Sequence, residues 1–237
     1  MEETKNTQNQ NMLSVPVAIV IAGALIGGAV FLSSRYTPPK TNTISDQNQQ
    51  VQPEAQQPQQ ISVDTNGWEV LGNTNAPVTI VEYADYVCPF CHRFFTDTFP
   101  QLKKDYIDTG KVKFIYKDFA VVGGEKAAEA SHCAQDQGKF WQYHDLLFSS
   151  QTTEQEDVTK WQDPKTHQGY AQQLGLDVKK LLDCFNSGKY TALVGQSTQE
   201  AINNGGQGTP YFLVNKTALS GAQPYSVFQT TIDSMLK

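Results

Sequence analysis

Two cysteines, Cys88 and Cys91, stand one helical turn apart in the sequence Cys-Pro-Phe-Cys. They follow an apolar run at residues 77–83 and precede a segment whose apolar residues suit a helix. A thiol at the start of a helix faces unpaired backbone N–H groups and the positive end of the helix dipole, and both favour the thiolate. Cys88 is therefore expected to be an acidic, exposed nucleophile. Cys91 lies close enough to form a disulfide with it, so the pair is predicted to cycle between dithiol and disulfide.

Other uses of this spacing remain open from the residues alone. Pro89 suits the first position of a helix, which favours a reactive site at a strand-to-helix junction. With His92, however, the motif also fits the attachment pattern of a c-type haem. A four-cysteine zinc site with Cys133 and Cys184, an inert structural disulfide and a pair of buried free cysteines are further alternatives. His92 itself could tune the site or only cap a helical face.

The elements around the cysteines predict an α/β fold. Strands are expected at 68–71, 78–83 and 111–119, with a helix at 90–109 that makes the second and third strands parallel through a right-handed crossover. Glycines then separate five predicted helices at 125–137, 139–148, 159–174, 177–186 and 189–204. A strand at 211–214, a possible partner at 218–220 and a helix at 226–236 complete the chain. Residues 121–204 are thus interpreted as a helical insertion.

Composition and charge narrow the functional class. The chain has 237 residues and a formal net charge of −6, and no basic patch stands out, so nucleic acid is not expected as a partner. Four cysteines, an even number, fit an oxidising compartment. The remaining histidines, His132, His144 and His167, have no metal-ligand spacing. We therefore expect neither a metal nor a cofactor.

The N-terminal part is predicted to anchor the protein in a membrane. Residues 1–12 form a short polar tail, and residues 13–33 contain about 20 consecutive uncharged residues, enough to cross a bilayer as one helix. The long apolar core and the absence of a convincing cleavage site favour an uncleaved anchor. Residues 34–62 are rich in Gln, Asn, Pro and Thr and are expected to be a disordered linker. The folded domain is then assigned to residues 63–237.

Four motifs in this order resemble the DsbA-like thiol:disulfide oxidoreductases, which have a thioredoxin fold with an inserted α-helical subdomain. The motifs are DYVCPFC at 85–91, GKFWQYH at 138–144, GTPYF at 208–212 and GAQP at 221–224. The resemblance covers the chain from about residue 68 to its C-terminus. It implies a thiol:disulfide oxidoreductase whose catalytic cysteines are Cys88 and Cys91.

The resemblance also assigns roles to residues outside the cysteine motif. Family members carry a cis-proline at the position of Pro210, next to Thr209 and beside the active disulfide. Glu82 matches a buried acid beneath the site, where it could relay a proton for Cys91. By strand alternation alone Glu82 could instead face solvent. Lys117 matches a basic position on the next strand and could pair with Glu82, or be simply solvated.

A second disulfide is implied between Cys133 and Cys184, because some relatives hold the insertion together in this way. The chain departs from the best-known strong oxidase of the family at Phe90, where that enzyme has a histidine that helps to hold the thiolate. The oxidising power of the pair is therefore not set by the resemblance.

The resulting hypothesis is a membrane-anchored, extracytoplasmic enzyme that oxidises reduced, unfolded exported proteins. The resemblance implies re-oxidation by a DsbB-like or VKOR-like membrane quinone oxidoreductase. A reductase or an isomerase would use the same residues in reverse. A thioredoxin-like module that binds copper or a peptide without turnover is the alternative from another class.

Overall fold

A computed structural model describes residues 61–151 and 158–237, and this part of the chain contains a five-stranded mixed sheet. The strand order is β1-β3-β2-β4-β5. Only β2 and β3 are parallel, and every other neighbouring pair is antiparallel. The bounds are β1 Val70–Gly72, β2 Val78–Ala84, β3 Val112–Asp118, β4 Tyr211–Val214 and β5 Thr217–Ser220. The predicted α/β fold with its parallel pair is confirmed.

The register of β2 against β3 decides which side chains share a face. Glu82 lies opposite Tyr116, and Ala84 lies opposite Asp118. Because side chains alternate along a strand, these residues point to one face, whereas Tyr83 and its partner Lys117 point to the other. The two faces therefore carry different polar groups.

A helical run follows the cysteine motif, and it is less regular than the single α-helix that the sequence predicts. It contains α1 (Pro89–Arg93), a π-helical turn (Phe94–Thr98), α2 (Phe99–Leu102) and a second π-helical turn (Lys103–Ile107). Pro100 has no N–H to donate, which interrupts the ordinary i to i−4 pattern, and the N–H of Phe99 bonds instead to the carbonyl of Phe94. The run still buries Phe94, Phe99 and Leu102 against the sheet.

Five α-helices form the predicted insertion. They are α3 Glu125–Gln135, α4 Phe140–Ser149, α5 Pro164–Gln173, α6 Val178–Ser187 and α7 Thr191–Asn203. The predicted helix at 159–174 is divided into a 3₁₀ turn, Val158–Gln162, and α5, because Asp163 caps a new helix by accepting the N–H of Lys165 at 2.9 Å. A last helix, α8 (Tyr225–Met235), packs Phe228 and Ile232 on the same side of the sheet as Phe94.

The N-terminal predictions fall mostly outside the described residues. The tail at 1–12, the anchor at 13–33 and the linker up to residue 60 are in this part of the chain. Across 61–151 and 158–237, no helix combines the length and the apolar character needed to cross a membrane. The predicted linker ends too late, because Ser62 already exchanges two hydrogen bonds with Asn204, at 3.1 and 2.9 Å.

Candidate active site

The turn between β2 and α1 presents the cysteine pair. Cys88 is the N-cap of α1, with extended backbone angles, and Pro89 occupies the first helical position. The carbonyl of Cys88 accepts the N–H of His92 at 3.1 Å, which starts the helix. The N–H of Cys88 in turn bonds to the carbonyl of Asp85 at 3.0 Å. Cys88 and Cys91 are both free thiols, so the structure shows the reduced pair.

The two thiols differ strongly in acidity. A hydrogen bond from the Cys91 thiol is the largest influence on Cys88, and it lowers the pKa of Cys88 to about 6 against the opposing effect of burial. The side chain of Thr209 and the backbone N–H groups of Cys91 and Phe90 act in the same direction. Burial raises the pKa of Cys91 well above its ordinary value, and hydrogen bonding to Cys88 adds to the shift. Cys88 is thus the more acidic of the two thiols, and Cys91 holds its proton more strongly.

Glu82 lies beneath this pair in the interior. Only 2% of the residue is exposed, so the alternative of a solvent-facing Glu82 is wrong. Burial raises the pKa of its carboxyl, and the charge on Cys88 raises it further. Its Oε1 atom makes no hydrogen bond within the described residues. The charge of Glu82 also contributes to the raised pKa of Cys91, so the two groups influence each other's protonation.

The turn before β4 covers the cysteines from the other side. The peptide bond between Thr209 and Pro210 is cis. As a thiol, Cys88 donates a hydrogen bond to the carbonyl of Thr209 at 3.4 Å. Two segments far apart in the sequence therefore meet at the Cys88 sulfur. This contact corrects the expectation of an exposed nucleophile, because Cys88 is only 3% exposed.

Asp85 organises the loops around the site, a role that the sequence did not suggest. It is buried, and its carboxylate accepts the backbone N–H groups of Val87, Val121 and Val122 at 3.0, 3.0 and 2.9 Å. Gly124 is required nearby, because a Cβ there would come within 1.9 Å of an Asp85 oxygen. An aspartate just after a strand looks like an ordinary turn residue, and its partners Val121 and Val122 are more than thirty positions away.

Lys117 does not pair with Glu82, which was one of the two alternatives left open by the sequence. It is on the other face of the sheet, where Nζ lies 2.8 and 2.7 Å from the two carboxylate oxygens of Glu200. Nζ also donates to the carbonyl of Asp64 at 2.7 Å and lies 4.6 Å from the centre of the Trp68 ring. The alternative of a solvated lysine is also wrong, since Lys117 is 1% exposed. The residue facing Glu82 from β3 is Tyr116.

Cys133 and Cys184 are joined by a disulfide that connects α3 to α6 across 51 positions. This pairing excludes the four-cysteine zinc site, because the two sulfurs are bonded to each other. In the described part of the chain, no group of three His, Cys, Asp or Glu side chains is arranged to hold a metal ion. His92 is half-buried, beside the cysteines.

Apolar side chains lie exposed around the cysteine turn. Phe90 is 53% exposed, and the guanidinium carbon of Arg93 lies 5.0 Å from the centre of its ring. Val121 and Val122, which Asp85 ties to the same turn, are 46% and 49% exposed. Exposed apolar side chains of this kind are often part of a surface that binds another molecule.

Comparison with known proteins agrees with this geometry. The family described as thioredoxin matches residues 64–234. Disulfide bond formation protein D of Bacillus subtilis is 34% identical over 181 residues, which is 72% of this chain and 78% of that protein. The crystal structure of oxidised BdbD from Bacillus subtilis has 30% identity and a TM-score of 0.67, covering 73% of this chain and 95% of that one. Alpha-DsbA1 of Wolbachia pipientis has 28% identity and a TM-score of 0.64, covering 72% and 91%.

Proposed function

Because this chain belongs to the DsbA-like thiol:disulfide oxidoreductases of the thioredoxin fold, we propose that it donates disulfides to exported proteins from a membrane anchor. The enzyme class follows from the family. We propose three further properties, which are the direction of electron flow, the substrate and the location. The observation that carries the direction is the difference in acidity between Cys88 and Cys91.

That difference in acidity favours formation of the reduced Cys88–Cys91 pair, and therefore oxidation of the substrate. A disulfide is a strong oxidant when its dithiol form is stabilised, and a thiol with a low pKa is a good leaving group. Since the pKa of Cys88 is lowered to about 6, its thiolate is stable at neutral pH. The groups that lower this pKa are the Cys91 thiol, the Thr209 side chain and the backbone N–H groups of Cys91 and Phe90, and none of them is a histidine.

The chemistry proceeds by two displacements. A substrate thiolate attacks the Cys88 sulfur of the Cys88–Cys91 disulfide, and the bond between the two enzyme sulfurs breaks. Cys91 leaves with the electron pair and takes a proton, for which Glu82 is the nearby buried acid. A second substrate thiolate then attacks the substrate sulfur of the mixed disulfide, and Cys88 leaves as a thiolate. The substrate has lost two electrons, and the enzyme holds them as a dithiol.

The substrate would be a reduced, unfolded polypeptide. Its chain could pair with backbone groups beside Pro210, and its apolar residues could cover Phe90, Val121 and Val122. Because Cys88 is 3% exposed, the reacting segment must be extended and narrow enough to reach the sulfur beside Thr209. A membrane quinone oxidoreductase of the DsbB or VKOR type would then re-oxidise the pair.

The direction can be tested with a reduced, unfolded peptide that contains two cysteines. The oxidised full chain should convert one equivalent of peptide to its disulfide form at pH 7. A Cys91→Ser variant cannot form the Cys88–Cys91 disulfide and should leave the same peptide reduced. If the oxidised chain leaves this peptide reduced, while its dithiol form reduces peptide disulfides, the protein is a reductase or an isomerase.

The location needs a separate test. The full chain, expressed in a bacterium, should stay in the membrane fraction after carbonate extraction. In cells whose outer membrane is permeabilised and whose inner membrane is intact, a membrane-impermeant thiol reagent should label Cys88. Release of the protein by carbonate, or labelling only after lysis, would contradict the anchored extracytoplasmic arrangement.

A further inference from the structure

A buried carboxylate at the end of β3 contacts the helical insertion. Asp118 is the last residue of β3, and its Oδ2 atom lies 2.7 Å from Nε2 of His132 on α3. Both side chains are at most 1% exposed. The other carboxylate oxygen, Oδ1, is buried and makes no hydrogen bond within residues 61–151 and 158–237. Because a buried carboxylate is costly without a partner, Asp118 depends on His132.

The second ring nitrogen of His132 faces a glutamine. Nδ1 lies 3.0 Å from Oε1 of Gln135, and Nε2 of Gln135 donates to the carbonyl of Gly67 at 2.9 Å. The bond to Gly67 fixes the amide, so that its oxygen is the atom that faces the imidazole. Both ring nitrogens of His132 therefore face oxygen acceptors, and only the imidazolium form can donate to both.

A neutral His132 would break one of these contacts. It has a single N–H, which can serve either Asp118 or Gln135 but not both. With the proton on Nδ1, two acceptors would face each other across the 2.7 Å contact. With the proton on Nε2, the Gln135 oxygen would lose its donor, and turning the amide would break the bond to Gly67. The series Asp118–His132–Gln135–Gly67 is thus complete only when the histidine is protonated.

The series joins three separate parts of the described chain. Asp118 belongs to the sheet, His132 and Gln135 belong to α3 of the insertion, and Gly67 belongs to the segment before β1. The next residue, Trp68, packs edge-on against the histidine, with ring centres 5.3 Å apart. The histidine therefore contacts this segment twice, through the glutamine and through the indole ring.

Burial and charge act in opposite directions on His132. Burial is the largest influence on its pKa and lowers it, but Asp118, Gln135 and Asp136 reverse this and give a net rise. The carboxylate of Asp136 is itself paired with Lys189 at 2.6 Å. Contacts with acids and with the glutamine thus outweigh the loss of hydration.

The other elements packed around the ion pair contribute uncharged rings. Tyr190, just before α7, and Phe140, on α4, lie against the imidazole with ring centres at 5.1 and 5.8 Å. On the carboxylate side, Tyr116 lies two positions earlier on the same face of β3, and Tyr86 stacks on it with ring centres 4.8 Å apart. Burial raises the pKa of Tyr86 and Tyr116 well above the ordinary value of a tyrosine, so both stay neutral.

We propose that Asp118, His132 and Gln135 form a proton-dependent latch that holds α3 and residues 67–68 on the end of β3, and that opens as the pH becomes alkaline. The latch joins the two elements between which the 119–124 loop of the candidate active site runs. It is a conformational device of the fold, and it does not depend on the direction of thiol exchange.

The direction of the pH effect follows from linkage. Because the folded pKa of His132 is raised, the latch contributes its full stability below the pKa of an unfolded histidine, about 6.5. That contribution is lost as the pH rises through the folded pKa. Between these two values, the unfolding equilibrium constant should increase by up to about tenfold per pH unit.

The first measurement uses the unaltered full chain, with its histidines labelled with ¹⁵N and followed by NMR from pH 5 to 10. The midpoint of His132 should lie above about 6.5, and both of its ring nitrogens should carry a proton at neutral pH. His144 and His167 are internal controls with midpoints below that value, since burial lowers the pKa of both. A His132 midpoint at or below about 6.5 overturns the latch.

The second measurement is urea unfolding of variants. The chain is kept in its Cys88–Cys91 disulfide form, because the Cys88 thiol would titrate in the same range with the opposite effect on stability. Asp118→Asn keeps the shape and an acceptor oxygen but removes the charge, so the His132 midpoint should fall by about one pH unit or more. Above about pH 6.5, the unfolding constant of the unaltered chain should therefore rise more steeply than that of Asp118→Asn or His132→Gln.

His167→Gln is the matched control for these variants. His167 is also a fully buried histidine of the insertion, but it bonds to Tyr143 and to the carbonyl of Trp161. This control should keep the steep pH dependence of the unaltered chain. If folded Asp118→Asn keeps it as well, the latch is overturned.

Amide hydrogen exchange of the unaltered chain locates the opening, also where a variant does not fold. Protection is measured by mass spectrometry and corrected for the intrinsic exchange rate at each pH. Peptides from 64–72 and from α3 should lose protection in parallel with the His132 titration, whereas peptides from 211–220 should keep it. Equal losses in all of these peptides, or no loss in 64–72, would contradict a local latch.

Discussion

The sheet domain and the helical insertion each hold one pair of cysteines, and the two pairs have opposite character. Cys88 and Cys91 are one helical turn apart and are free thiols. Cys133 and Cys184 belong to different helices, 51 positions apart, and form a disulfide. The first pair adjoins a helix start, a cis-proline turn and a buried acid, all of which act on thiol protonation. The second pair has the position of a crosslink between two helices.

The comparison shows that the surrounding groups determine whether a cysteine pair is reactive or structural. Closing a long loop restricts the unfolded chain, so a bridge between distant helices stabilises the fold. Closing a four-residue loop contributes less in this way, and the stability of that bond depends on how well the site stabilises the thiolate. The predictions below test this separation of roles, in order of decreasing effect.

The largest expected effect is on turnover. Cys88→Ser should lower peptide oxidation by about 10³-fold or more, because it removes the sulfur that forms the mixed disulfide. A Cys133→Ala/Cys184→Ala double variant should keep its turnover within a few-fold at 20 °C. A peptide oxidation assay measures both variants, and comparable losses of activity would contradict separate roles for the two cysteine pairs.

The second prediction concerns stability. Removing both Cys133 and Cys184 should lower the free energy of unfolding by about 4 kcal/mol, as expected for a loop of this length. Urea unfolding followed by circular dichroism measures the change. A Cys88→Ser/Cys91→Ser variant, in which the insertion disulfide is intact, is the control and should lose much less. Equal losses in the two variants would contradict the crosslinking role.

The third prediction is the pH dependence of Cys88. Its alkylation rate should have a midpoint at pH about 6, whereas Cys91 should stay unreactive at neutral pH. Since the folded pKa is lowered, the thiolate contributes stability to the reduced protein above the pKa of the unfolded thiol, and this contribution is lost as the pH falls to about 6. Iodoacetamide labelling read by mass spectrometry measures both rates, and a Cys88 midpoint near 8.5 would contradict this assignment.

The smallest expected effect contrasts two buried acids. Glu82→Leu should raise the free energy of unfolding by about 1–2 kcal/mol, because it removes a buried carboxyl with an unpartnered oxygen. Glu129→Leu, in the insertion, should lower it, because Glu129 bonds to Lys126 at 2.8 Å and Thr191 at 3.0 Å. Thermal unfolding of both variants checks the signs. A destabilising Glu82→Leu would indicate a structural role for that acid.

The sequence predicted the order of elements well, because apolar periodicity and glycine breaks are local signals. The strands at 78–83 and 211–214 and the helices of the insertion were found within a few residues. The π-helical turns were missed, although Pro100 is a local sign that the regular helix is interrupted. The cysteine motif marked the candidate site, although its spacing alone left other uses open.

The polar interior was harder to predict, because it depends on register and on distant contacts. Lys117 was interpreted either as a partner of Glu82 or as a solvated lysine, but the register puts Tyr116 opposite Glu82 and Lys117 on the other face. Asp85 and Asp118 act through partners on other elements, Val121 for the first and His132 for the second. No local pattern marks such pairs. The low exposure of Cys88 likewise results from Thr209, which is 121 positions away.

The most direct test of the proposed function is a redox titration of the full chain in glutathione buffers, with alkylated peptides quantified by mass spectrometry. The account predicts a Cys88–Cys91 potential between about −120 and −180 mV, as for a disulfide donor, while Cys133 and Cys184 stay linked throughout. A Cys88–Cys91 potential below about −250 mV would contradict it and identify a reductase.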